Sequence, residues 1–276
     1  MRVGIIGLGL MGGSLALSLK KVPFIKEIVG SDHNPEHQRQ ALELSLVEKI
    51  VGFEEIKKCD VIILAVPVDG IIRIISELTD VSEDTTIIDF GGTKEKIVKS
   101  IPPAIRKNVV AAHPMTGTEF YGPSAAVEEL YRDKVVVLCD LEESGNHQQL
   151  AAVKIFSALH MKISYMHAHE HDRHAAFISH MPHAISYSLA NTVIKQENRE
   201  DILTLAAGGF RSMSRLAKSS PAMWEDVFKQ NKDNVLEAIE LFEKELHTFK
   251  QHIREENWQA LHKNMQDANT LYNIFS

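Results

Sequence analysis

Cysteine is scarce in this 276-residue chain: only Cys59 and Cys139 occur, far apart and outside any CxxC spacing. That excludes a disulfide framework and points to a reducing cytoplasm. Positive charge is not in surplus either. The net charge is -7 and no long run of like charge occurs, which argues against a nucleic-acid footprint or a polybasic membrane anchor. An acidic protein that handles an anionic ligand would therefore need a local cluster of Arg or Lys. No apolar run approaches membrane-spanning length. The opening "MRVGIIGLGLMGGSLALSLKK" does not fit a secretory signal, because its basic residues follow the apolar stretch and glycines interrupt it. No internal repeat or low-complexity segment is found. The expectation is a soluble protein, with no nucleic-acid or membrane partner.

What remains is ordinary globular composition, 44% hydrophobic and 24% charged, enough for one large or two modest domains. The first half alternates β-branched runs with amphipathic stretches. Candidate strands are 2–6, 27–31, 60–66, 85–89, 108–112 and 134–139, with helical patterns at 11–21, 35–45, 69–78 and 94–100. Buried Val and Ile runs separated by helices predict an α/β, doubly wound and mainly parallel sheet. A helix over 145–160 and a short strand over 161–166 close this half. Beyond it the pattern is helical throughout. From Trp224 to Ile253 apolar residues recur at spacings of three and four, predicting one long helix of some eight turns. Such a helix is covered either by a partner subunit or by its own domain. The predicted organisation is a dinucleotide-binding domain over 1–164 and an all-helical domain over 165–276.

"GIIGLGLMGGS" sets Gly7, Leu8, Gly9, Leu10, Met11 and Gly12 between the first strand and the first helix. In this context Gly7 permits the tight turn, Gly9 lets a pyrophosphate approach the backbone, and Gly12 lets helix and strand pack closely. Free N–H groups at the helix start then face the phosphates. Asp32 ends the second strand about twenty residues on, where a carboxylate accepts from a ribose diol and repels a 2′-phosphate. His33, Asn34 and Pro35 follow it without an Arg, so NAD is expected over NADP. Val66 and Pro67, in "AVPVDG", close a strand beside the switch point where a nicotinamide ribose rests. Pro67 also reads as ordinary strand punctuation.

"AAHPMTGTE" ends the next strand on His113, which Pro114 biases toward extended backbone. Two readings are open: a general base aimed into the crevice, or a turn histidine bonded to backbone. The helical half contributes "ISHMPHAISYS", with Ser179, His180 and His183 within about one turn around Pro182. Upstream, His167, His169, His171 and His174 invite a metal reading, but their alternation fits a strand, the surrounding pattern is helical, and no cysteine joins them. No metal is expected. "GGFRSMSRLAKSSPAMW" sets Arg211 and Arg215 on one helix face with Lys218 next along it. This is either the carboxylate-binding cluster an acidic protein needs or a solvated basic face.

GLGLMGGS, HPMTGTE, SHMPH and GGFRSMSRLAKSSPAMW, in that order, resemble the prephenate dehydrogenase family of tyrosine biosynthesis. The resemblance covers essentially the whole chain, and the HPM-G-TE and SH-PH motifs are far more specific than the glycine loop. It implies an NAD-dependent oxidative decarboxylation of prephenate to 4-hydroxyphenylpyruvate. It implies a stand-alone enzyme, without a fused chorismate mutase or a regulatory domain, and a homodimer formed through the helical domain. By resemblance His113 accepts the ring hydroxyl proton, Arg215 anchors a carboxylate, and His183 orients the substrate with Ser179 and His180. Thr118, Trp224, Arg211 and Gly92 fall among the substrate-binding positions, Thr93 falls on the cofactor side, and Glu119 links its loop to the helical half by charge. Tyrosine, like the product in its ring, is expected to compete for the pocket. Two departures stand out. Many members carry Ser where this chain has Gly92, with Thr93 or an ordered water as substitutes, and Ser212 stands where relatives can carry an acid. The alternatives are arogenate dehydrogenase and a non-catalytic nicotinamide-nucleotide sensor on the same fold.

Overall fold

The sheet has eight strands in the order β3-β2-β1-β4-β5-β6-β7-β8. A computed structural model describes residues 1–274. The strands are β1 (Arg2–Ile6), β2 (Glu27–Ser31), β3 (Lys49–Ile50), β4 (Val61–Leu64), β5 (Thr86–Asp89), β6 (Val109–Pro114), β7 (Val135–Cys139) and β8 (Lys162–Met166). Every neighbouring pair is parallel except β6 with β7. This is the mainly parallel, doubly wound α/β sheet expected, with its first six strands in the dinucleotide-binding order.

Its helices are α1 (Leu10–Leu19), α2 (Pro35–Glu43), α3 (Phe53–Ile56), α4 (Val68–Glu77), α5 (Glu95–Lys99) and α6 (Asn146–Ala158). One apolar cluster joins Val3, Ile5, Leu15, Ile88, Val110 and Phe156, and the other joins Ile62, Leu64, Ile71, Ile87, Ile97 and Val109. Strand neighbours such as Val109 and Val110 fall into different clusters, as two-residue alternation across a sheet requires. The start of α2 shows how local the signals are: Pro35 takes the first helical position and the Asn34 side chain accepts from Glu36 N. The sequence reading missed β3 and α3, two and four residues long, because neither is long enough to show a period.

After β8 no strand occurs among the described residues. The helices are α7 (Ala168–Ala175), α8 (Met181–Ile194), α9 (Arg199–Thr204), α10 (Gly208–Ser214), α11 (Pro221–Gln230), α12 (Lys232–Arg254) and α13 (Trp258–Asn269). Three breaks depart from the expected pattern. Residues Ala176–His180 form a π-turn between α7 and α8, where Pro182 has no N–H to continue the α ladder. The 201–219 stretch divides at extended Ala207 before Gly208-Gly209, then tightens into a 3-10 turn over Arg215–Lys218. The single long helix is two: α11 stops at Asn231, whose side chain donates to the Asp172 carbonyl. The chain forms two compact units, Met1–Asn231 and Lys232–Ser276, so that α7 to α11 belong with the sheet.

Candidate active site

At the β1–α1 turn, Gly7 adopts φ +94, and a Cβ there would lie 2.4 Å from the Ala65 carbonyl oxygen. A Cβ on Gly12 would lie 1.9 Å from the Gly7 oxygen, so neither position admits a side chain. Gly9 has nothing within 4 Å of its would-be Cβ, and no side chain caps the α1 start. The result is an open cradle of backbone N–H groups with positive potential, suited to phosphate. Leu8 N donates to Asp32 Oδ2 (2.8 Å) and Asn34 N to Asp32 Oδ1 (2.9 Å), which fixes a buried carboxylate beside the turn. An ionised carboxylate offers about four acceptor positions, so two stay available for a diol. The imidazoles of His33 and His37 lie 3.4 and 3.5 Å from that carboxylate. Tyr131, buried, donates its hydroxyl to the Met11 carbonyl (2.6 Å), bracing the loop from behind. Val66 sides against Gly7, and exposed Pro67 caps α4, whose first N–H, from Val68, donates to Asp226 Oδ2 on α11 (2.8 Å).

At the opposite side of the switch point, β6 runs three residues beyond its pairing with β5, which ends at Asp89 opposite Ala111. Alternation puts His113 on the face of Ala111, the face covered by Ala168 of α7. There His113 Nδ1 meets His171 Nε2 at 2.7 Å, and His171 Nδ1 meets Asp172 Oδ1 at 2.8 Å. Asp172 also accepts from Lys94 N (2.7 Å) and Glu95 N (2.9 Å), tying α7 to the start of α5. The Lys94 side chain, with no exposed surface, pairs with Asp89 and donates to the Ala112 carbonyl (2.7 Å), next to His113 in the chain. Burial, with His171, Lys94 and His180 nearby, pushes His113 well below the ordinary imidazole range, so it is neutral at physiological pH.

Next along the π-turn, His180 Nδ1 lies 3.0 Å from Asn231 Nδ2, and burial pushes its pKa down to about 4. His183 donates from Nδ1 to the Ser179 carbonyl (2.9 Å), leaving Nε2 as an acceptor. Burial lowers its pKa as well, and the charge of Arg215 acts in the same direction. The His183 ring stacks on Trp224, with centroids 3.5 Å apart, and His180 meets the same indole edge-on at 5.9 Å. Arg215 reaches Glu119 of the HPMTGTE loop at 3.3 Å. Two buried polar atoms, Trp224 Nε1 and Thr93 Oγ1, have no protein partner.

His113, His180, His183 and Trp224 are thus brought together by direct and shared contacts, with Arg215 close to His183 and paired to Glu119. Gly92 lies alongside, where an added Cβ would sit 3.7 Å from Val227 on α11. Arg211 stays apart, exposed and donating to the Ala206 carbonyl, and Thr118 is exposed with its hydroxyl accepting from Phe120 N. Arg215 has left the helix that carries Arg211, so the shared face read from their spacing breaks at Ser214. Ser179 contributes its carbonyl.

Sequence reasoning missed His171, Asp172, Lys94 and Asp89. A signal for the first two existed: Ala168, His171, Asp172 and Ala175 are the buried face of α7, and a His-Asp pair at core positions of an amphipathic helix demands a partner.

Residues 15–164 match a family model described as prephenate dehydrogenase, nucleotide-binding domain, and 167–267 one described as prephenate dehydrogenase, dimerization domain. A prephenate dehydrogenase of Lactococcus lactis is 34% identical over 94% of this chain and 73% of its own length. One from Bacillus subtilis is 30% identical over 95% of this chain and 72% of its own. Among solved structures, prephenate dehydrogenase from A. aeolicus, in complex with hydroxyphenyl propionate and NAD+, superposes with a TM-score of 0.92 at 32% identity. That match covers 100% of this chain and 98% of the other.

Proposed function

The chain belongs to the prephenate dehydrogenase family, and from that premise we propose how its own residues carry out the NAD-dependent oxidative decarboxylation of prephenate to 4-hydroxyphenylpyruvate. The observation that carries the reading is His113: a neutral imidazole at the crevice edge of the sheet, with one nitrogen held from behind and the other left to act. The dinucleotide fits the residues present. A Cβ on Gly7 or Gly12 would fill the turn, Gly9 leaves the approach open, and Asp32 holds two acceptor positions for a ribose diol. Val66, Pro67 and the unpartnered Thr93 hydroxyl complete the cofactor side. When bound, the nicotinamide supplies the hydride acceptor.

His113 takes the proton of the ring hydroxyl, and Arg215 grips a carboxylate from the helical side. His183 presents Nε2 as an acceptor and, stacked on Trp224, forms a stiff wall against the substrate. The Trp224 Nε1–H is a buried donor that a bound anion would satisfy. Ser179, His180, Thr118 and Gly92 keep their places in the proposed substrate-binding set, with Arg211, exposed on α10, at its margin. Glu119 is paired with Arg215, which offsets the charge that the ammonium of arogenate would meet, and this supports prephenate as substrate. Functionally the division falls near residue 164, which the two family models support by meeting between 164 and 167.

A homodimer through the helical part is supported by the dimerization description of the second model and by exposed Ile178, Leu205 and Met213. Competition by tyrosine follows from its likeness to the product ring. No helix of the described residues is long and apolar enough to cross a membrane, and both cysteines are free, which supports a cytoplasmic location. The test is nicotinamide reduction with prephenate and with arogenate, each with NAD and with NADP. Turnover is expected with prephenate and NAD, and dinucleotide binding without turnover of either substrate would overturn the reading.

A further inference from the structure

We propose that His171 and Asp172 are positioning residues that set the tautomer of His113, so that its Nε2 meets the substrate hydroxyl as a lone pair. This rests on His113 being the base. The direction of the chain is fixed at its far end. Both Asp172 oxygens accept backbone N–H groups, from Lys94 and Glu95, so the carboxylate has no proton to give. His171 Nδ1 must therefore donate to Asp172 Oδ1, which leaves a lone pair on His171 Nε2. That atom lies 2.7 Å from His113 Nδ1, so His113 Nδ1 carries the hydrogen and Nε2 does not. His171 and Asp172 are each only 2% exposed, which shields the bond between them from water. The same three-group logic orients the imidazole in hydrolytic triads.

The arrangement also answers the missing hydroxyl at Gly92. His113 is aimed from behind, by a ring 58 residues further along the chain, and needs no serine beside it. The proton balance suits a weakly basic imidazole. The substrate O–H bond breaks as an N–H bond forms on His113 Nε2, while a bound nicotinamide would take the carbinol hydrogen with its electron pair. The bond to the departing carboxylate then gives its electrons to the ring, carbon dioxide leaves, and Nε2 returns the proton to the phenolate oxygen. The groups facing His113 are His171 from α7, Lys94 from the turn before α5, and His180 from the π-turn. Lys94 and its neighbours oppose a lasting positive charge on the ring, while the chain to Asp172 steadies a transient one.

The test replaces His171 by Phe, which keeps a ring and removes both hydrogen bonds. The expected result is a fall in kcat of roughly 100-fold, with KM for prephenate and Kd for NAD within about twofold of wild type. A merely structural defect would move all three together. In parallel, 15N-histidine NMR of the wild-type protein reads the His113 tautomer directly, with the signal assigned by its loss in His113→Asn. Hydrogen on Nδ1 is expected. A kcat within about threefold of wild type in the Phe variant, or hydrogen on Nε2 in the wild type, overturns the proposal; the NMR result decides if the variant fails to fold. An active His113→Asn enzyme would instead remove the base assignment itself, so the two failures are distinct.

Discussion

The two ends of the crevice are built differently. The cofactor end is made of backbone: a left-handed glycine at Gly7, a crowded one at Gly12, and N–H groups at the start of α1, all within a dozen residues. The histidine end is made mainly of side chains from four separate stretches, joined by His113–His171, by Asp172 accepting the Lys94 backbone N–H, and by His180–Asn231. Backbone sites tolerate change around them but not in them. Side-chain sites depend on partners distant in sequence, and a single replacement leaves a buried group stranded.

The largest expected effect is at the point where the histidine end does its chemistry. His113→Asn should lose roughly 100- to 10,000-fold in kcat/KM, about 3–5 kcal/mol, in steady-state assays. Near-normal turnover would dissolve the contrast between the two ends. Lys94→Met comes next, and it reads as stability. It leaves Asp89 buried without its cation, which should cost about 3–5 kcal/mol in urea unfolding. A small loss there would mean that the ion pair does not hold β6 against the turn.

How much of this was legible follows the same divide. The strands around the glycine loop, the loop itself and Asp32 stand out because their signals are local: β-branched runs, glycine spacing, a carboxylate at a strand end. His113, His183 and Trp224 were found through motifs, although nothing in their spacing alone tells which neighbours they meet. His171 and Lys94 escaped because one was hidden in a histidine-rich stretch weighed as a metal site and set aside. The other looked like an ordinary basic residue at a helix start, and only the fold brings Asp89 and Ala112 to it. The uninterrupted helix from Trp224 to Ile253 failed for a related reason: Asn231 continues the spacing, but its side chain is committed to Asp172.

Smaller effects sharpen the comparison. Arg215→Ala removes a charge-assisted carboxylate contact, so KM for prephenate should rise about tenfold or more while kcat changes less. Because Arg215 is half exposed, added salt should weaken wild-type binding in the same direction. An unchanged KM would take Arg215 out of the anchor role. Gly92→Ser should be nearly silent. The new Cβ meets Val227 at ordinary contact distance, and His113 is already aimed, so unfolding and kcat should each shift by less than about 1 kcal/mol. A large gain in kcat would show that His113 lacks a partner that the glycine withholds.

The most direct test of the central claim is the pH dependence of kcat/KM for prephenate at saturating NAD, over the range in which the protein stays folded. The active form is neutral His113, and burial, with the Lys94 charge acting in the same direction, lowers its pKa. Protonation therefore removes activity only as pH falls below the ordinary imidazole value of about 6.5. A plateau is expected to continue through that value, with the acid limb beneath it. A limb centred at or above it would contradict a half-buried, neutral base at His113.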